Sequence, residues 1–155
     1  MANKIQDKFK KIVRKEYKDY KKNFTTVLKN KVLTNFDNEE DVNGKPFHPL
    51  TGTTKKLRRE KGTWPGKILN ETGKLRKSLK IKTKNEIISI ASNVSYAQEL
   101  NDGREDMKPR KFLEIPDSLS KKGVDRKRLF NEFENKLLQK LEQALIDSGF
   151  TPKKG

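Results

Sequence analysis

Residues 3–33, NKIQDKFKKIVRKEYKDYKKNFTTVLKNKVL, carry apolar side chains at Ile5, Phe9, Ile12, Val13, Tyr17, Tyr20, Phe24, Val27, Leu28, Val32 and Leu33, with lysines filling the positions between. Steps of three and four dominate, so the apolar side chains fall on one stripe of an α-helix and the lysines on the opposite face. At 1.5 Å per residue such a helix runs ~45 Å, more than the cover of a small core needs. The excess length points to a contact between subunits; the same residues also fit a helix lying across its own domain with a frayed basic start.

A second stripe closes the chain. Leu129, Phe130, Phe133, Leu137, Leu138, Leu141, Leu145 and Ile146 predict a helix over 125–148, with Asp125 as its N-cap and Gly149 as its stop. Residues 151–155 read as a tail.

Between the two helices the pattern changes. Asn35 to Lys45 is polar, acidic in Glu39-Glu40-Asp41, and reads as a loop. Thr51 to Lys61 predicts a short helix that Gly62 ends, and Thr63-Trp64-Pro65-Gly66 a turn. Ser78–Lys84 and Glu86–Ser92 alternate apolar and polar residues around Lys84-Asn85, which predicts a hairpin with one basic face. Val94–Leu100 has helical character, and Arg104–Lys111 is a charged loop. Phe112 to Ile115, closed by Pro116, predicts a third strand that completes a small antiparallel sheet. The fold class expected is α+β: long N-terminal and C-terminal amphipathic helices packed with a small sheet and short helices, in one domain spanning 1–150.

Composition bounds the function. Of 155 residues 31% are hydrophobic and 37% charged, so the apolar supply is thin and help from partner subunits is expected. The absence of cysteine excludes disulfides, thiolate metal sites and cysteine nucleophiles, and the chain can fold in a reducing cytoplasm. Met1 to Lys8 runs straight into charged residues and no apolar run reaches ~18 residues, so neither a signal peptide nor a membrane span is expected. The net charge of +16 is concentrated in residues 45–84, where thirteen Lys and Arg face two Glu. Lys55, Lys56, Arg58, Arg59, Lys74, Arg76, Lys77, Lys80 and Lys82 form the expected basic surface, suited to an acidic protein or to nucleic acid.

No motif names a reaction. Gly62-Thr-Trp-Pro-Gly66-Lys67-Ile68 fails as a phosphate loop: three residues rather than four separate the glycines, Pro65 removes an N–H donor, and Ile68 stands where a hydroxyl would hold magnesium. His48 is the sole histidine, and Phe47, Pro49 and Leu50 around it suggest packing rather than catalysis or metal ligation. No catalytic residue, cofactor or metal ligand is therefore assigned. A small basic nucleic-acid-binding protein remains the alternative, without a helix-turn-helix, zinc-finger or RNA-binding signature and with Trp64, Tyr96 and Phe112 read as core.

The order of motifs from 47 to 113 is more telling than any one of them. Phe47-His-Pro49-Leu50, Thr54-Lys55-Lys56, Ile68-Leu69-Asn-Glu-Thr72-Gly73-Lys-Leu75-Arg-Lys-Ser78-Leu79, Tyr96-Ala97 with Gly103, and Arg110-Lys-Phe112-Leu113 together resemble the virion-morphogenesis and tail-completion family of tailed phages, Mu-like members included. The resemblance implies a non-enzymatic structural protein at the head-to-tail junction or upper tail, made in the host cytoplasm and built into the virion as a hexameric ring. Neck, connector, terminator or tail-tube proteins are the implied partners, with non-specific DNA contact and no membrane.

In that setting Gly73 allows a positive-φ corner, Thr72 caps the turn after it, and Leu69, Leu75 and Leu79 face one core. Tyr96-Ala97 packs a short helix onto the sheet, Gly103 releases a mobile loop, and Arg110 anchors the following strand through a neighbouring subunit's carboxylate.

Overall fold

The computed structural model describes residues 2–84 and 87–150; the expected turn residue Asn85, the expected strand start Glu86 and the expected tail at 151–155 lie outside the described residues. In chain order the elements are α1 (Ala2–Asp37), α2 (Gly52–Glu60), α3 (Lys74–Ser78), β1 (Lys80–Lys84), β2 (Ile87–Ala91), α4 (Ala97–Asp102), a 3-10 turn (Asp117–Leu119) and α5 (Val124–Ile146). The fold is α+β.

The two long helices lie antiparallel. Lys8 pairs with Asp147 at 3.3 Å, Glu16 pairs with Lys140, and Lys31 pairs with Asp125 at 3.2 Å, so each step along α1 is matched by a step back along α5. The hairpin packs on α1 through Ile81, Ile88 and Ile90, which join Phe24, Leu28, Val32, Leu119 and Leu129 in one core cluster. Ile81 faces Ile90 and Thr83 faces Ile88 across the ladder, leaving Lys80, Lys82 and Lys84 on the outer face. This is the alternation of a half-buried strand pair.

A second cluster sits at the C-terminal end of α1. Phe36, Phe47, Leu69, Leu75, Val94, Ala97 and Phe112 form it, and Leu79 touches both clusters and joins them. Among the described residues, neither cluster includes an α1 residue before Tyr20 or an α5 residue after Leu129. The far half of the helical pair is therefore an arm, in which Val13, Tyr17, Leu138 and Ile146 are exposed.

Several boundaries differ from expectation, each for a tertiary reason. α1 runs through Asn35 and on to Asp37 because these polar side chains find partners: Asn35 Nδ2 donates to the Asp41 carbonyl at 2.8 Å, and Asp37 pairs with Arg76. The chain turns out of the helix at Glu39, whose φ of 62° is left-handed, with the Glu40 N–H returning to the Asn35 carbonyl at 2.8 Å. That six-to-one closure usually falls to glycine. Glu39 is held there from both ends, since its carboxylate accepts from the Ile68 N–H and its carbonyl from the Phe47 N–H. α5 is capped by Gly123 and not by Asp125, which lies in the first turn between Lys31 and Arg128.

The expected third strand does not form. Among the described residues the sheet has two strands, and the Phe112 and Leu113 N–H groups go instead to one side-chain oxygen, Asn101 Oδ1, at 2.9 and 2.8 Å. A buried amide that satisfies both donors leaves the segment no demand for a ladder partner.

Candidate functional site

The corner at Thr72–Gly73 organises one side of the central region. Gly73 has φ 73° and stands at the start of α3; Thr72 accepts from the Lys74 N–H at 3.4 Å. The left-handed turn lets Leu69 and Leu75 enter the same core from opposite sides of the corner. It also leaves a hollow of about 550 Å³ between α2, the corner and α4.

Seven of the thirteen motif residues line this hollow: Leu50, Leu69, Thr72, Gly73, Leu75, Tyr96 and Arg110. The other six lie elsewhere. Phe47, Ala97 and Phe112 form the core behind it, and Leu113 packs against that core. Pro49 contributes its carbonyl to Arg110, and Gly103 ends α4.

Two arginines give the hollow its chemistry. Arg110 is 6% exposed, and its Nε and Nη2 donate to the His48 carbonyl at 3.2 and 3.1 Å. Within the chain its partners are the backbone carbonyls of His48 and Pro49. Burial, followed by the repulsion of nearby Arg58, pulls the Arg110 pKa below the usual guanidinium range.

Arg58, expected on the surface, is also 6% exposed. Its Nη1 and Nη2 donate to the carbonyls of Lys67 and Ile68 at 2.7 and 2.9 Å, closing the 62–68 loop onto α2. Its Nε makes no hydrogen bond and meets Glu71 Oε2 only at 3.6 Å. The periodicity of α2 places Arg58 in sequence but does not show that a later loop folds over it.

The remaining basic residues divide. Lys56, Arg59, Lys74, Lys77, Lys80 and Lys82 are exposed, Lys55 is half-buried, and Lys55 and Arg59 each lie 5.9 Å from the centre of the half-buried Trp64 ring. Arg76 is engaged: its Nε and Nη2 donate to the two Asp37 carboxylate oxygens at 2.5 and 2.6 Å. That bidentate pair, with Lys67 nearby, holds the Asp37 carboxyl below the usual carboxylate range.

A depressed folded pKa adds stability at pH values above about 3.9, the unfolded value, which is lost as pH falls through the folded one. Urea titrations should therefore show Asp37→Asn destabilising the protein by ~1 kcal/mol near neutral pH, a figure already discounted for solvent screening. The difference from the parent should shrink below about pH 4. A pH-independent difference would remove the ion pair as its cause.

Tyr96 and Gly103 also depart from expectation. Ala97 enters the core, but Tyr96 is exposed at the mouth of the hollow instead of packing inward. Gly103 opens a tight turn rather than a free loop: Arg104 and Met107 exchange backbone hydrogen bonds at 2.9 and 3.0 Å, and a Cβ on Gly103 would lie 2.5 Å from the Met107 carbonyl oxygen. Asn101, the buried amide that holds Phe112 and Leu113, carried no signal in the sequence beyond its place before Asp102-Gly103.

Among the described residues no three His, Asp or Glu gather to hold a metal ion, and no helix is long and apolar enough to cross a membrane. The sequence profile of the phage virion morphogenesis family matches residues 1–103, so the match includes α1, the hollow's corner and α4 and stops short of Arg110. No curated protein and no solved structure matches the chain.

Proposed function

The chain belongs to the phage virion morphogenesis family, and from that membership we propose that it is a non-enzymatic subunit of a hexameric ring that completes the tail or joins it to the head. Family membership supports a structural, virion-associated role. The observation that carries the ring is the helical arm: Val13, Tyr17, Leu138 and Ile146 are exposed there, where the two cores end. Two helices alone cannot enclose their apolar stripes, and a neighbour on each side of a ring would cover them.

Native mass spectrometry of the purified protein is expected to show a closed oligomer. Leu138→Glu should convert it to monomer without loss of helical signal. A protein that stays monomeric at every concentration, and is absent from virions, sinks the reading.

Contact with DNA is a second reading, favoured by the exposed Lys80, Lys82 and Lys84 on the outer sheet face, which make no ion pair among the described residues. Such binding would weaken steeply with salt and show no sequence preference.

A further inference from the structure

Of the two buried arginines in the hollow, Arg58 meets a carboxylate only at 3.6 Å and Arg110 meets none among the described residues. Arg104 is paired with Glu99 at 3.3 Å and Asp106 at 3.8 Å, and Glu71 is shared by Arg58, Lys61 and Thr63. Among the described residues Arg110 has no carboxylate partner, Arg58 Nε has no hydrogen bond, and Lys74 stands exposed at the wall without an ion pair. A buried guanidinium that meets only carbonyl dipoles, with a second guanidinium close by, remains short of negative charge. The side walls are apolar, from Leu50, Ile68, Leu100 and Met107.

We propose that this hollow docks an acidic peptide segment of a partner protein, with a carboxylate side chain entering against Arg110 and Arg58 and an adjacent apolar side chain lying along Leu50, Ile68 and Leu100. Arginine favours a carboxylate through its planar fork of donors, and a water-poor recess strengthens the pair. The partner is a different, acidic protein and not a second copy, because a chain of net charge +16 is a poor source of complementary charge. Duplex DNA is the weaker fit, since its backbone would have to enter a recess with leucine walls. The hollow lies within one chain, so docking can be read whether or not the proposed ring forms.

Calorimetric titration of the intact protein with a short acetylated peptide alternating glutamate and leucine tests the site, with the glutamine-for-glutamate peptide as reference. The glutamate peptide is expected to bind at least about tenfold more tightly than the glutamine one. Arg110→Gln and Lys74→Gln should each weaken it, Arg110→Gln by roughly tenfold or more, whereas Lys127→Glu on α5 should leave it unchanged. Lys74 is exposed, so its variant keeps the test decisive if Arg110→Gln does not fold.

Equal binding of the two peptides overturns the proposal. So does equal weakening by Lys74→Gln and Lys127→Glu, which would mark a general charge effect. A DNA duplex that displaces the peptide and shows the same dependence on Arg110 would assign the site to phosphate instead.

Discussion

Replacing Phe112 by alanine is expected to destabilise the protein by about 3–5 kcal/mol, the range for removing a fully buried aromatic ring. Phe112 is 2% exposed, and its ring meets Phe36 edge-on at 5.8 Å, which in turn meets Phe47 edge-on at 6.4 Å. Loss of the Phe112 ring therefore removes one end of a linked set of three. Relaxation into the cavity is opposed by the backbone, because Asn101 Oδ1 holds the N–H groups of both Phe112 and Leu113. A site that cannot collapse loses the most, so the upper half of the range is expected.

With total stabilities of about 5–15 kcal/mol for single domains, such a loss brings the protein close to unfolding. Urea denaturation followed by the fluorescence of Trp64, the only tryptophan, measures it. Ile87→Ala is the matched control: Ile87 is 69% exposed on β2, and its change should stay within about 0.5 kcal/mol. A Phe112→Ala loss below about 1 kcal/mol would contradict the packing described for this core.

The second large effect is expected at Gly123. Its φ of −71° and ψ of 147° suit any residue, so the difficulty is space and not backbone conformation. A Cβ built there would lie 2.2 Å from the Ser118 carbonyl oxygen and 2.3 Å from that of Asp117, both backbone atoms. Relief requires the Asp117–Leu119 turn to move, and Leu119 is fully buried against α1 and α5. Gly123→Ala is expected to cost about 3 kcal/mol or more, the upper range for overpacking.

In a domain of this size that lowers Tm by roughly 6–12 °C, read from the loss of helical circular dichroism. Gly52→Ala supplies the contrast. Its Cβ would meet nothing within 4 Å, and alanine is the better helix former, so a gain of about 0.5 kcal/mol is expected. Similar losses at the two positions would mean that the close approach at Gly123 is absent in solution.

The parts of the fold that were legible are those carried by a repeating pattern. Steps of three and four identified both long helices, and alternation through Leu79, Ile81, Ile88 and Ile90 identified the hairpin, because each period states which face of an element leaves water. The glycine in Thr72-Gly73 announced a left-handed corner, and φ 73° is found there. The apolar run at Phe112–Ile115 misleads for the same reason: a short apolar run is compatible with a strand, and only the distant Asn101 amide shows that the Phe112 and Leu113 N–H groups are already satisfied.

The charged residues were least legible. A lysine-rich stretch looks uniformly basic in sequence, yet Arg58 is enclosed by the 62–68 loop and Arg76 is taken up by Asp37, while Lys74 and Lys77 between Gly73 and Ser78 stay in water. Arg110 meets His48, sixty-two positions earlier.

Sequence alone thus sufficed for the α+β class, the two amphipathic helices, the hairpin, the Gly73 corner and the family resemblance, because local period and the order of motifs carry that information along the chain. Tertiary structure alone decided that the sheet stops at two strands, that α1 runs on to Asp37, and that Arg58 and Arg110 turn inward to a shared hollow. Those outcomes depend on which buried donor meets which acceptor across long separations in sequence, and every buried polar group must find such a partner or bear the cost of leaving water.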